Sequence, residues 1–95
     1  MARLKAAPLD ENRASAMALR ALAFLAMDAD RLSRFLALTG CGPGDIRRLA
    51  VSSEFQASVL EHLLSDESLL LLFASQCGVA PEMVAPAHAL LASAA

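Results

Sequence analysis

Alanine and leucine fill 39 of the 95 positions in this chain, whereas valine, isoleucine and threonine together fill six. No other feature of the sequence limits the fold so strongly. Ala and Leu are the best helix formers, and the β-branched residues that a sheet needs are the scarce ones. A β fold is excluded on that ground. Disorder is excluded as well, because its signature is low hydrophobicity with high net charge, and here 57% hydrophobic content accompanies a net charge of −2. That content exceeds the roughly 45–50% of ordinary domains, even with their glycines counted. The prediction is an all-α protein, a single compact bundle of five to six short helices that carries more apolar surface than its size needs.

Local signals divide the chain. A first helix is predicted over residues 9–27, where Leu9, Met17, Leu19, Leu22, Phe24, Leu25 and Met27 point in nearly all directions, as in a helix buried all round. So short a chain has little material to surround it, and a second copy is expected to cover part of it. Asp28 or Asp30 caps a second helix ending near 39, in which Leu32, Phe35 and Leu36 form a stripe opposite Arg31 and Arg34. Gly40 reads as its C′ residue. The run Gly40-Cys41-Gly42-Pro43-Gly44 is a sharp turn, with Pro43 starting a short helix over 43–50 and Asp45 near its positive end. Ser53-Glu54-Phe55-Gln56 has the capping-box pattern and opens a fourth helix through 64, with Phe55, Val59, Leu60, Leu63 and Leu64 inward.

A fifth helix follows Ser65-Asp66-Glu67-Ser68 and ends at Cys77, with Gly78 as C′ residue. Its unbroken apolar run at 69–73 marks it as the predicted central helix. Pro81 opens a last segment that Pro86 must kink or restart, and the final turn at 86–92 packs through Leu90 and Leu91. No heptad persists and the loops are short, which favours orthogonal packing over a coiled bundle. Residues 1–8 and 93–95 are expected to be mobile ends around a helical domain at 9–92.

The reactive side chains form no recognisable catalytic or metal-binding pattern. Cys41, His62, Cys77 and His88 match a structural zinc in number, yet the nearest pair is eleven residues apart, unlike the close spacings of zinc sites. No metal site is expected. Glu61, His62, Ser65 and Asp66 cluster at a helix end where capping already employs Ser65 and Asp66, so no nucleophile, base and orienting group are brought together. No catalytic residue and no cofactor are assigned. The glycine-rich turn lacks the lysine and spacing of a phosphate-binding loop. Cys41, in that turn with Arg47 and Arg48 following, is the candidate for a reactive or redox-sensing thiol.

All eight Lys and Arg lie in residues 1–48 beside five acids, while residues 49–95 hold five acids and no base. Either the two halves complement each other in one fold, or the surface is polar and steers a charged partner. Arg31, Arg34, Arg47 and Arg48 form the candidate basic patch of a small DNA-binding regulator. Against nucleic acid stand a fourth helix without Lys or Arg, an acidic balance and the absence of Trp and Tyr for stacking. Asp28, Asp30 and Asp45 are available to pair the arginines.

Arg3 and Lys5 precede an apolar stretch, but Asp10, Glu11, Arg13 and Arg20 interrupt any signal-peptide core. Gly78, Pro81 and Pro86 divide the apolar tract at 68–95 below spanning length. No membrane span is expected, and two cysteines without a disulfide framework read as free thiols in the cytoplasm.

The strings Ala21-Leu22-Ala23-Phe24-Leu25-Ala26, Arg31-Leu32-Ser33-Arg34-Phe35-Leu36-Ala37-Leu38-Thr39-Gly40, Asp45-Ile46-Arg47 and Val59-Leu60-Glu61-His62-Leu63-Leu64-Ser65-Asp66-Glu67 resemble a family of small bacterial, chiefly alphaproteobacterial, proteins known as domain of unknown function 3572. The resemblance covers about residues 14–77. It implies a bacterial cytoplasmic setting and carries no activity or site residue with it. The surplus of apolar surface is therefore the functional lead. It is an ordinary leucine-rich core, or a face for self-association or for another protein's helix, or else a hydrophobic ligand pocket or a membrane-surface contact. The expectation is a non-catalytic protein-interaction module, self-associating first, with Met17, Phe24, Phe35, Phe55, Leu70, Leu71 and Phe73 carrying the packing or the interface.

Overall fold

A computed structural model describes residues 9–94, and every regular element in that span is helical. The α-helices are α1 (Glu11–Ala26), α2 (Ala29–Thr39), α3 (Ile46–Leu49), α4 (Ser53–Leu64), α5 (Glu67–Cys77) and α6 (Val84–Ala94). Short 3-10 turns at Pro43–Asp45 and Pro81–Met83 lead into α3 and α6. The all-α bundle of short helices is what forms. Its packing is angular where it can be read most directly, since α5 and the segment Pro81–Ala94 are bent 111° apart. The segment 1–8, expected to be mobile, lies outside the described residues, as does residue 95; positions 93 and 94 belong to α6.

The helix ends follow from the capping residues. Asp10 accepts the Arg13 N–H at 2.8 Å, Asp28 accepts those of Asp30 and Arg31 at 2.9 and 3.2 Å, and Asp66 accepts that of Leu69 at 3.2 Å. Each satisfies donors that a first helical turn leaves without partners. Gly40 (φ 75°) and Gly78 (φ 67°) close α2 and α5 in the left-handed conformation, which a side chain would strain.

Two local expectations are corrected. The N-cap of α4 is Ser52, whose Oγ accepts the Phe55 N–H at 3.3 Å, so Ser53 and Gln56 form no capping box. Gln56 instead turns back, is only 4% exposed, and donates its Nε2 to the Ala50 carbonyl at 2.7 Å. That bond ties the end of α3 to α4 and gives the buried amide nitrogen a partner. Pro86 is the third residue of α6, which continues through it without a restart. A proline is tolerated there because first-turn N–H groups have no intrahelical acceptor. The change from 3-10 to α geometry comes earlier, at Val84.

The core is built around α4, which packs against α1, α2, α5 and α6. From it Phe55, Ala57, Val59, Leu60 and Leu63 are buried, together with Ala14, Ala18, Ala21, Leu22, Phe24 and Leu25 of α1 and Val84, Ala87 and Leu91 of α6. The alanines on α1 recur at helical spacing and let the facing helices approach closely. Hence α1 is one-sided rather than buried all round, with Leu19 and Met27 facing outward. Phe35 of α2 meets Phe55 edge-on at 5.7 Å between ring centres, and Phe24 meets Phe73 of α5 at 5.6 Å. The expectation that the fifth helix is central is overturned. Only Phe73 and Ala74 of α5 are fully buried, and its packing partners are α4, α1 and the Pro81–Met83 turn.

Candidate functional site

At about 100° per residue, Phe73, Ala74, Leu70 and Cys77 share the inward side of α5. The opposite side carries Ser68, Leu71, Leu72 and Ser75, flanked by Glu67 and Gln76. Exposure agrees for Ser68, Leu71 and Ser75, which are exposed, Leu71 at 49%, whereas Leu72, like Leu69 and Leu70, is partly covered and packs against the core. Four consecutive leucines thus sit on the rim of the fold without one being fully buried. The other exposed large apolar side chains include Met27, Leu38 and Val51, each set singly at a helix end or turn, which is ordinary for a protein surface. Leu19 on α1 and Met83 in the Pro81–Met83 turn belong to the elements that flank α5.

The far end of α5 is held by a contact that local spacing does not reveal. Arg20 of α1 donates from its guanidinium to the Cys77 carbonyl, 57 residues away. A cation at a helix C-terminus meets carbonyls that lack intrahelical partners and the negative end of the dipole. No local pattern around Arg20 signals this role.

Among the residues expected to carry packing or an interface, Phe24, Phe35, Phe55 and Phe73 are buried, so their part is packing. Met17 and Leu70 are half-buried against the core, and Leu71 is the one that faces outward. The four candidate arginines are divided between two helices, Arg31 and Arg34 on α2 and Arg47 and Arg48 on α3. Arg31 lies 4.0 Å from the Asp28 carboxylate and 5.3 Å from the centre of the Phe24 ring, and Arg48 pairs with Asp45 at 3.1 Å. Arg34 is close enough to His62, in the last turn of α4, to influence its titration. Arg47 and Arg48 lie on α3, ahead of the other end of α4.

Cys41 borders a shallow cleft of about 170 Å³ with Thr39, Leu49, Ser52, Glu54, Phe55 and Ser58. Its three hydroxyls are already engaged. Thr39 Oγ1 donates to the Phe35 and Leu36 carbonyls, Ser52 Oγ caps α4, and Ser58 Oγ donates to the Glu54 carbonyl. The half-buried thiol itself lies 3.9 Å from the Thr39 carbonyl. Gly42 donates to Asp45 at 3.1 Å, and that bond first, then Arg48, holds the Asp45 carboxyl below its ordinary range. Arg48, one of the two cations that follow the turn, is thus committed to a carboxylate. Among the described residues no group of three His, Cys, Asp or Glu side chains could hold a metal ion.

His62 packs edge-on against Phe35 at 5.2 Å. Burial pushes its imidazole below the ordinary histidine value, with Asp66 opposing that shift and Arg34 reinforcing it. Below the ordinary value of about 6.5 the unfolded chain binds the proton more readily, so stability contributed by neutral His62 is present above that pH and is lost as pH falls through the lowered folded value. Urea midpoints are expected to fall more steeply from pH 7 to pH 5 in the native chain than in His62→Gln. Parallel profiles would refute this.

Among the described residues no single helix is long and apolar enough to cross a membrane. No curated protein and no solved structure matches the sequence. A family model does match, over residues 11–94, and so reaches past residue 77 to include the closing helix. By that match the chain belongs to the family described as protein of unknown function (DUF3572).

Proposed function

We propose that this protein is a small, non-catalytic interaction module that self-associates through the outer face of α5. The observation that carries the reading is the incomplete burial of the four leucines at 69–72 on a peripheral helix. Covering such a face recovers about 25 cal/mol for each Å² of apolar area removed from water. One helix face falls short of the roughly 1,600 Å² of a standard interface, so the association is weak and concentration-dependent. The regulator reading has less support, since Arg31 and Arg48 are paired with aspartates. The sensor reading has less support because Arg48, close to Cys41 in sequence, is engaged by Asp45. We further infer a bacterial cytoplasmic setting, for which the two free cysteines favour a reducing compartment.

Light scattering over a dilution series tests the proposal. Toward hundreds of micromolar the mass is expected to approach twice the 10.0 kDa of one chain. Leu71→Glu, with unchanged helical circular dichroism, is expected to stay monomeric. A native chain that remains monomeric throughout that range would overturn the reading.

A further inference from the structure

We infer that the two copies pair through antiparallel α5 helices, about a two-fold axis that passes between Leu71 and Leu72, with Glu67 of each chain meeting Arg20 of the other. This rests on the self-association proposed above and adds its register and orientation. The outward side of α5 reads Ser68, Leu71, Leu72, Ser75, a serine on either side of two leucines of which Leu71 is exposed and Leu72 partly covered by its own core, and this order is the same in both directions. Reversing the helix about its midpoint exchanges Ser68 with Ser75 and Leu71 with Leu72. Each leucine pair then meets the partner's leucines, while the small serines leave room at the ends and keep their hydroxyls at the wet rim. A two-fold interface requires such self-complementarity, in which residue i meets j and j meets i. A parallel pairing would set Ser68 against Ser68 and Glu67 against Glu67, two like charges.

Charge sets the same orientation. The first turn of α5 carries Glu67 directly after the Asp66 cap, and no base occurs after residue 48. Its last turn ends at the Arg20 guanidinium on the Cys77 carbonyl. Eleven residues at about 1.5 Å each separate these ends by roughly 16 Å. Antiparallel pairing lays the acidic end of one helix against the basic end of the other. A guanidinium offers five N–H donors, so the carbonyl contact leaves others for a carboxylate. Among the described residues neither Arg20 nor Glu67 is in an ion pair within its own chain. An exposed ion pair is weak, so this one selects orientation while the leucines supply the attraction.

Cysteine cross-linking tests the register. In chains bearing Cys41→Ser and Cys77→Ala, Ser68→Cys and Ser75→Cys protomers are mixed and oxidised at a concentration where light scattering shows the dimer. The mixed disulfide is expected to exceed each same-site disulfide at least about fivefold, because only the 68 to 75 pairing brings the Cα atoms within bonding range. Predominant same-site disulfides would show a parallel pair, and a dimer that forms no disulfide at either site would place the contact elsewhere. Both outcomes overturn this inference and leave self-association standing. Absence of a dimer overturns both. In a second arm, Glu67→Arg and Arg20→Glu are each expected to weaken the dimer about two- to fivefold, and the double exchange to restore it. Additive losses in the double variant would remove the ion pair from the inference.

Discussion

Phe35→Ala is expected to lower the free energy of unfolding by about 3–5 kcal/mol, the range for removing a buried aromatic ring. Phe35 is 0% exposed, and its ring is held edge-on between Phe55 at 5.7 Å and His62 at 5.2 Å. It is the main apolar link from α2 to α4, since Leu36 is the only other fully buried residue of α2. Its loss leaves a cavity between two helices whose ends are fixed by separate caps, so neither can collapse freely into the gap. Domains of this size have about 5–15 kcal/mol in total. The variant is therefore expected to retain much of its helical signal in the cold and to melt far below the native chain. It also exposes His62 to water, which relaxes the burial that lowers that imidazole's pKa. The pH dependence of the urea midpoint should flatten along with the loss of stability. A loss below about 1 kcal/mol would mean that α2 is anchored by something other than this ring.

The parts of the fold that local chemistry decides were legible in the sequence. Asp28, Gly40, Asp66 and Gly78 act at the positions where their residue types predict, because a cap needs only its own side chain or backbone freedom and the next turn of helix. Ser52 and Ser53 show the limit of such signals. Two adjacent serines both have a hydroxyl to offer, and the cap falls to Ser52 while the Gln56 amide is drawn to the Ala50 carbonyl. What could not be read was which helix lies inside. An unbroken run of leucines marks high apolar content on every side of α5, but burial depends on what the rest of the chain packs against it. The helix at the centre is α4, where Phe55, Val59, Leu60 and Leu63 present one broad face and the alanines of α1 allow close approach. The candidate site divides in the same way. Of the residues expected at an interface, Leu71 lies on the outward side of α5, Leu70 on its inward side, and the four phenylalanines are claimed by the core. Arg20 was invisible, because its acceptor is a main-chain carbonyl 57 residues distant that no side-chain pattern encodes.

The same division gives the second large effect, in a pair of chemically identical substitutions. Leu60→Ala is expected to cost about 2–5 kcal/mol, as truncation of a fully buried leucine does, because Leu60 is 0% exposed on the central helix. Leu71→Ala removes the same atoms from a side chain already 49% exposed, so in dilute solution its cost should stay near the roughly ±0.5 kcal/mol of an ordinary surface change. Had α5 been the central helix, the order would be reversed or the two costs equal. Chemical denaturation at low micromolar protein separates these cases directly. Raising the concentration then brings out what Leu71 does. If the outer face of α5 is covered by a second copy, the native chain gains stability by mass action as the dimer fills. Its melting temperature rises with protein concentration, and that of Leu71→Ala does not. A concentration-dependent melting temperature in Leu60→Ala, at a lower absolute value, would show that the core and the outer face of α5 contribute independently, as expected for sites without shared partners. Equal concentration dependence in the native chain and Leu71→Ala would detach association from α5 altogether.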